Sequence, residues 1–130
     1  MARDDAAFVR ARRARAGEFD VATKLYSRAI LSLATAPELG ALSNAAAAPD
    51  SEALHGLRQR GVAFELAGVL HNYACCVLEK RGDAPLARQL LHRATTACDA
   101  VDDPERHASC SENIGRLLSD MRDAESDGAN

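Results

Sequence analysis

Histidine and cysteine occur twice at spacings that would place both side chains on one face of a helix. His71 precedes Cys75 by four positions, and His107 precedes Cys110 by three. Such pairs could supply zinc ligands, or a thiol with a base beside it for nucleophilic catalysis. Zinc sites normally show tight Cys-x-x-Cys or His-x-x-x-His spacings, which are absent here, and no catalytic signature surrounds any cysteine or serine. We therefore predict no metal, no catalytic residues and no enzymatic activity.

The remaining composition restricts the classes of ligand. No glycine-rich phosphate loop occurs in the sequence, and we predict no cofactor. The net charge of −3 does not favour nucleic acid or an anionic membrane. No apolar run approaches the roughly 20 residues that cross a bilayer, so we predict no membrane insertion. The four cysteines, without a secretory signal before them, are interpreted as reduced thiols in a cytoplasmic protein.

Composition also predicts the fold class. Hydrophobic residues make up 47% of the chain and aromatic residues only 4%, and alanine and leucine supply much of the apolar content. These are strong helix formers, and no stretch alternates apolar and polar residues as a strand would. We predict an all-α fold of five or six antiparallel helices in a single domain over residues 1–122.

Glycine, proline and acidic residues predict where the helices begin and end. A first helix over 5–16 stops at Gly17, and a second over 18–35 is ended by Pro37. Residues 37–51 are predicted to form a loop or insertion, and residues 51–81 form either one helix or two. Gly82 ends that element, and Asp83 caps the next helix. A last helix has Asp103 as its N-cap and Pro104 at its first position, and it ends near Arg122, before a disordered polar tail over 123–130.

Helical periodicity predicts the buried side chains of each helix. The predicted core is Ala22, Leu25, Tyr26, Ala29, Leu66, Leu70, Ala74, Ala87, Leu90, Leu91, Ala94, Ile114 and Leu117.

Two segments of the chain look like copies of one another. The segment 17–29 (GEFDVATKLYSRA) aligns with 82–94 (GDAPLARQLLHRA), with glycine, alanine, leucine, arginine and alanine in register. This pattern resembles the tetratricopeptide repeat, a helical hairpin that stacks into solenoids. The family's motif is matched in the first copy by Gly17, Glu18, Phe19, Ala22, Tyr26 and Ala29. The second copy keeps the skeleton but has Ala84 and Leu91 where aromatic residues are usual.

The resemblance implies two antiparallel hairpins of tetratricopeptide type and a C-terminal capping helix, in a protein-binding adaptor or scaffold. The copies are separated by about twice the family's usual repeat of about 34 residues, which implies that the region from Pro37 to Leu57 is an insertion or an extended helix. A competing resemblance is to the microtubule-interacting-and-trafficking domain, a three-helix bundle that binds short helical motifs. Its first hairpin would lie in the segment from Gly17 to Ala36. The second copy at Gly82 is unexplained by that alternative.

The repeat resemblance also implies a binding surface. In helical-hairpin solenoids the first helix of each hairpin lines the concave face. In this chain those helices carry Arg10 and Arg13 in the first copy, and His71, Asn72 and Lys80 in the second. Because guanidinium groups pair bidentately with carboxylates, we expect a peptide or helix of acidic character as the ligand. Two hairpins are fewer than a stable array usually needs, so we also expect a partner or self-association to complete the structure.

Overall fold

The structure is a computed structural model that describes the backbone of residues 2–43 and 52–129, and the side chains of residues 17–42 and 54–126. These ranges contain six helices and no strand, which confirms the predicted all-α class. The helices are α1 (Ala2–Leu33), α2 (Ala36–Ser43), α3 (Glu52–Arg60), α4 (Ala63–Arg81), α5 (Ala84–Asp99) and α6 (Pro104–Ala129).

The hairpin of α4 and α5 is the centre of the molecule. Gly82 adopts a left-handed conformation (φ 63°) and donates its amide to the Leu78 carbonyl, which ends α4 as predicted. Asp83 accepts a hydrogen bond from the Leu86 amide at 3.1 Å and caps α5. The two helices bury alanine and leucine against each other, so Ala74, Ala87 and Ala94 are fully buried.

The other helices flank this hairpin. α1 packs against α4, α2 packs against α5, and α6 packs against both α4 and α5. α1 runs antiparallel to α4, because Tyr26 stacks on Tyr73 while Phe19 lies under the guanidinium of Arg81 at the end of α4. The molecule is therefore a layered helical array in which α1 and α6 are the outer helices on either side of α4.

The predicted end of the first helix at Gly17 is wrong. α1 continues from Ala2 to Leu33, and Gly17 is not among the glycines with positive φ, which are Gly61 and Gly82. A glycine lowers helix propensity but ends a helix only where the chain turns into the left-handed conformation. The copy at 17–29 is therefore the second half of one helix, whereas its counterpart at 82–94 follows a turn.

The predicted loop over 37–51 is partly helical. Residues 36–43 form α2, with Pro37 in its first turn, where proline is tolerated. Leu42 of α2 is fully buried, and residues 44–51 lie outside the described residues.

The segment 52–81, which the sequence left open between one helix and two, forms two. Gly61 (φ 67°) separates α3 from α4. Within the described residues no single helix is long and apolar enough to cross a bilayer. Taken together, α3 and α4 reach the required length and apolar composition, but the pair is bent by 110°.

The last helix and the buried set also differ from prediction. α6 runs to Ala129, so residues 123–129 are helical and do not form the disordered tail that was predicted over 123–130. Most of the predicted core is buried, but Ala22, Tyr26, Ala29 and Leu117 are only half-buried. Leu25 is 58% exposed, because α1 contacts the array through one side of the helix only.

Candidate binding cleft between α4 and α6

A small cleft lies between α4 and α6. Its volume is about 70 Å³, and its floor is formed by the buried residues Ala67, Cys110 and Ile114. Around this apolar floor stand polar side chains from both helices, which are His71 from α4 and Ser109 and Asn113 from α6. An apolar floor with hydrogen-bonding groups at its edge is suited to holding one side chain of a ligand.

Glycine at position 68 leaves the α4 wall of the cleft open. A methyl group placed on Gly68 would meet nothing within 4 Å. Glycine in a helix interior costs about 1 kcal/mol relative to alanine. No neighbour in the described part of the chain requires this glycine, so the space beside it is available to a ligand.

The ends of α4 and α6 hold the cleft in place. The guanidinium of Arg106 lies over the ring of Phe64, at 5.2 Å from the ring centroid. Asp103 caps α6 by accepting hydrogen bonds from the amides of Glu105 and Arg106, as its position before Pro104 predicted. The contact of Arg106 with Phe64 joins the first turn of α6 to the start of α4, and the Asp103 cap fixes where α6 begins.

The structure brings only part of the predicted binding set to this cleft. His71 lines it, and Asn72, the next residue of α4, is exposed beside it. Lys80 is also exposed, but it lies nine positions beyond His71 and therefore on the opposite side of the helix.

Arg10 and Arg13 belong to the first half of α1, and their side chains lie outside the described residues. Tyr26 and Tyr73 stack and are therefore level along the two antiparallel helices. Arg13 is separated from that level by about 20 Å of helix axis, at 1.5 Å per residue. The two arginines are thus well removed from His71, and only an extended ligand would reach both.

The environment of the Cys75 thiol beside His71 favours its neutral form. Cys75 Sγ lies 3.9 Å from His71 Nε2. Burial raises the pKa of the Cys75 thiol, and the carboxylate of Glu79 adds to this. Since the thiolate is the nucleophile, this environment works against the catalytic chemistry that the spacing of His71 and Cys75 would otherwise allow.

The second histidine–cysteine pair joins α5 to α6. Cys98 Sγ lies 2.8 Å from Cys110 Sγ, and His107 Nδ1 lies 3.0 Å from the Cys98 carbonyl oxygen. Burial and the hydrogen bond with Cys110 raise the pKa of Cys98 to about 12, so this thiol stays protonated. In the part of the chain that the structure describes, no group of three or more His, Cys, Asp or Glu side chains is arranged so that it could hold a metal ion.

A larger, basic depression on α5 was not anticipated from the sequence. It measures about 600 Å³ and is lined by Arg88, His92 and Arg93 of α5 and by Leu118 of α6, among others. Arg88 is paired with Glu125 of α6, so part of its charge is already neutralised within the molecule. The available signal was the i, i+4 spacing of Arg88 and His92 on the polar face of α5.

Comparison with known proteins identifies no relative. No family model matches the chain, and neither a curated protein nor a solved structure matches it.

Proposed function

We propose that this protein is a non-catalytic interaction module that binds a peptide or helix of a partner protein in the cleft between α4 and α6. The observation that carries this proposal is the cleft itself, with Gly68 open in its wall and His71, Ser109 and Asn113 around it. The partner would insert one small apolar side chain onto the floor and accept or donate hydrogen bonds at the edge.

The size of the cleft favours a protein ligand over a metabolite. Small-molecule sites typically enclose about 300–1,000 Å³ and are lined mostly by apolar groups. The α4–α6 cleft is well below that range at about 70 Å³. The depression on α5 is large enough at about 600 Å³, but five of the six residues that line it are polar or charged, and one of them, Arg88, is already paired with Glu125. The α4–α6 cleft therefore suits a protein ligand, which inserts a single side chain and lies along the surface, better than it suits a small molecule.

The acidic character of the ligand is a proposal that rests on the charges beyond the cleft. A peptide that leaves the cleft passes the exposed Asn72, and it reaches Lys80 only by crossing over α4, because Lys80 lies on the side of that helix opposite His71. A longer one continues towards Arg10 and Arg13 of α1. Acidic residues at the far end of the ligand would be paired there.

The packing order supports a tetratricopeptide-like scaffold more than the competing alternative. α4 and α5 form a hairpin, α1 lies beside α4, α2 lies beside α5, and α6 covers the other side. We interpret this order as two stacked hairpins with a closing helix, of which only the hairpin of α4 and α5 is complete. The trafficking-domain alternative placed its first hairpin over 17–36, where α1 continues unbroken to Leu33. A cytoplasmic location remains part of the proposal.

The experiment selects ligands from a displayed library of random peptides against the full chain. Selected peptides are synthesised and titrated against the wild type, Gly68→Leu, and the double variant His71→Ala with Asn113→Ala. Gly40→Leu is the matched control, because Gly40 is also a helix glycine with nothing within 4 Å of an added methyl group, but it lies in α2.

We expect Gly68→Leu and the double variant each to weaken binding about tenfold or more, which corresponds to about 1.4 kcal/mol or more. Gly40→Leu should leave the affinity unchanged. A library that yields no binding peptide, or peptides that bind all four proteins equally, would reject the cleft as the site.

A further inference from the structure

The large hydrophobic side chains that the structure leaves exposed all lie on α1. Among the described side chains these are Val21 and Leu25, each 58% exposed, and Leu31, 67% exposed. Large apolar side chains elsewhere in the described part are buried or half-buried. Concentration of exposed apolar residues on one outer helix marks a surface that another protein covers.

Charged residues continue this exposed surface along α1. Glu18, Val21, Leu25 and Arg28 are all exposed, and they follow one another at steps of three, four and three residues. This is the spacing of one continuous stripe along a helix, as in the seam of a coiled coil. The stripe faces away from α4, which is contacted by the opposite side of α1 through Phe19 and Tyr26.

The stripe is complementary to itself when a second copy lies antiparallel. Its order is acidic, apolar, apolar, basic, and reversal of the direction places unlike charges opposite each other. Val21 then meets Leu25 of the partner subunit, and Glu18 meets Arg28 of the partner subunit. Each contact occurs twice, as in any interface with two-fold symmetry.

We propose that the protein forms a homodimer through this stripe, with the two α1 helices antiparallel and the two-fold axis between Val21 and Leu25. A parallel arrangement in register is disfavoured, because it would place Glu18 opposite Glu18 of the partner subunit and the two Arg28 residues together. Lys24 flanks the stripe on both copies, and its exposed, hydrated ammonium group adds only a small repulsion. This surface is separate from the α4–α6 cleft, so the dimer does not depend on the proposed peptide binding.

The dimer is tested by sedimentation equilibrium of the full chain over a range of concentrations. The variants are Leu25→Glu, the single changes Glu18→Arg and Arg28→Glu, and the two charge changes combined. Ser27→Glu is the control, because Ser27 is exposed on the same helix but points away from the stripe. Circular dichroism checks that each variant keeps its helical content.

We expect Leu25→Glu to raise the dissociation constant of the dimer about a hundredfold or more, since it places two carboxylates in the apolar seam. Each single charge change should raise it roughly three- to tenfold, and the combined change should restore it. Ser27→Glu should have no effect. A wild type that is monomeric at all concentrations, or Leu25→Glu without effect, would overturn the dimer. Single charge changes without effect, or a combined change that does not restore the affinity, would overturn the antiparallel register.

Discussion

Among the described residues, Glu38 is the one charged residue that is buried. It is 5% exposed, and Arg60 Nη2 lies 2.6 Å from its Oε1. The same oxygen accepts a hydrogen bond from the Thr35 amide at 2.8 Å, while the Thr35 hydroxyl accepts one from the Glu38 amide at 3.3 Å. This reciprocal capping box begins α2, and Arg60 ties it to the end of α3 and to the Leu33 carbonyl at the end of α1.

The first prediction concerns the charge of Glu38. The hydrogen bond from Arg60 lowers the pKa of the Glu38 carboxyl from its usual value of 4.5, and the bonds from Thr35 add to this against the opposing effect of burial. A lowered folded-state pKa contributes stability above the unfolded pKa, and that stability is lost as the pH falls through the folded-state pKa. Glu38→Gln should therefore lower the free energy of unfolding at pH 7 by about 1–3 kcal/mol and have a progressively smaller effect below about pH 4.5.

Urea denaturation of the wild type and of Glu38→Gln at several pH values measures this difference in the free energy of unfolding. Glu112→Gln is the control, because Glu112 pairs with Arg116 at 3.0 Å on the exposed surface of α6. An exposed pair of this kind contributes about 0.3–0.5 kcal/mol. Equal losses for the two variants would show that the contacts of Glu38 do not stabilise the junction of the helices.

The glycines of this molecule differ in their backbone conformation and in the space beside them, and these two properties decide what each one does. Gly61 and Gly82 have positive φ and end α3 and α4, whereas Gly17, Gly40, Gly68 and Gly115 lie inside helices with nothing within 4 Å of an added methyl group. Gly56 of α3 differs from both groups. A Cβ atom at Gly56 would lie 2.6 Å from Glu38 Oε2, so the absence of a side chain there lets α3 approach α2.

The second prediction compares two changes of glycine to alanine in helices. Gly40→Ala should raise the free energy of unfolding by about 0.5–1 kcal/mol, because alanine favours the helix and meets no neighbour. Gly56→Ala should instead lower it, because the new methyl group displaces a carboxylate that Arg60 and Thr35 hold in place. Thermal and urea denaturation measure both effects.

A Glu38→Ala background provides the control for this comparison. Once the carboxylate is removed, Gly56→Ala should become neutral or stabilising. A stabilising effect of Gly56→Ala in the wild type would mean that the Glu38 side chain moves aside at no cost.

At the scale of the whole molecule, burial is concentrated in the central hairpin. α4 and α5 contain most of the fully buried side chains, including Leu66, Leu70, Leu90 and Leu91. By contrast, the side chains described for α1 are at most half-buried within Gly17–Leu33. Regions with few buried apolar contacts open at lower free energy than the core.

The third prediction is a gradient of amide hydrogen exchange. The amides of α4 and α5 should exchange most slowly, by global unfolding, and those of Gly17–Leu33 in α1 should exchange faster, by local detachment from α4. Exchange followed by mass spectrometry of peptic fragments measures this directly. Leu25→Glu supplies a control, because the proposed dimer would protect α1 further and this variant would remove that protection. Equal protection of α1 and α5 in that variant would contradict a core confined to the central hairpin.

Sequence alone determined the features that depend on local physics. The all-α class follows from alanine and leucine content, and the turn at Gly82–Asp83 and the cap at Asp103 follow from residues that favour one backbone conformation. The buried faces of α4 and α5 follow from helical periodicity. Each of these helices packs against its neighbours along one stripe of its surface, and that stripe must be apolar. These features need only a few neighbouring residues to be specified.

Tertiary structure decided what depends on which surfaces meet. The amphipathic stripe of α1 did not reveal that one edge would stay uncovered, so Leu25 was assigned to the core although it is exposed. The glycine at position 17 has the same local signal as Gly82, but the two differ in whether the chain turns there. Likewise, His71 lines a cleft only because α6 packs beside α4 and brings Asn113 opposite it, a contact between residues distant in sequence.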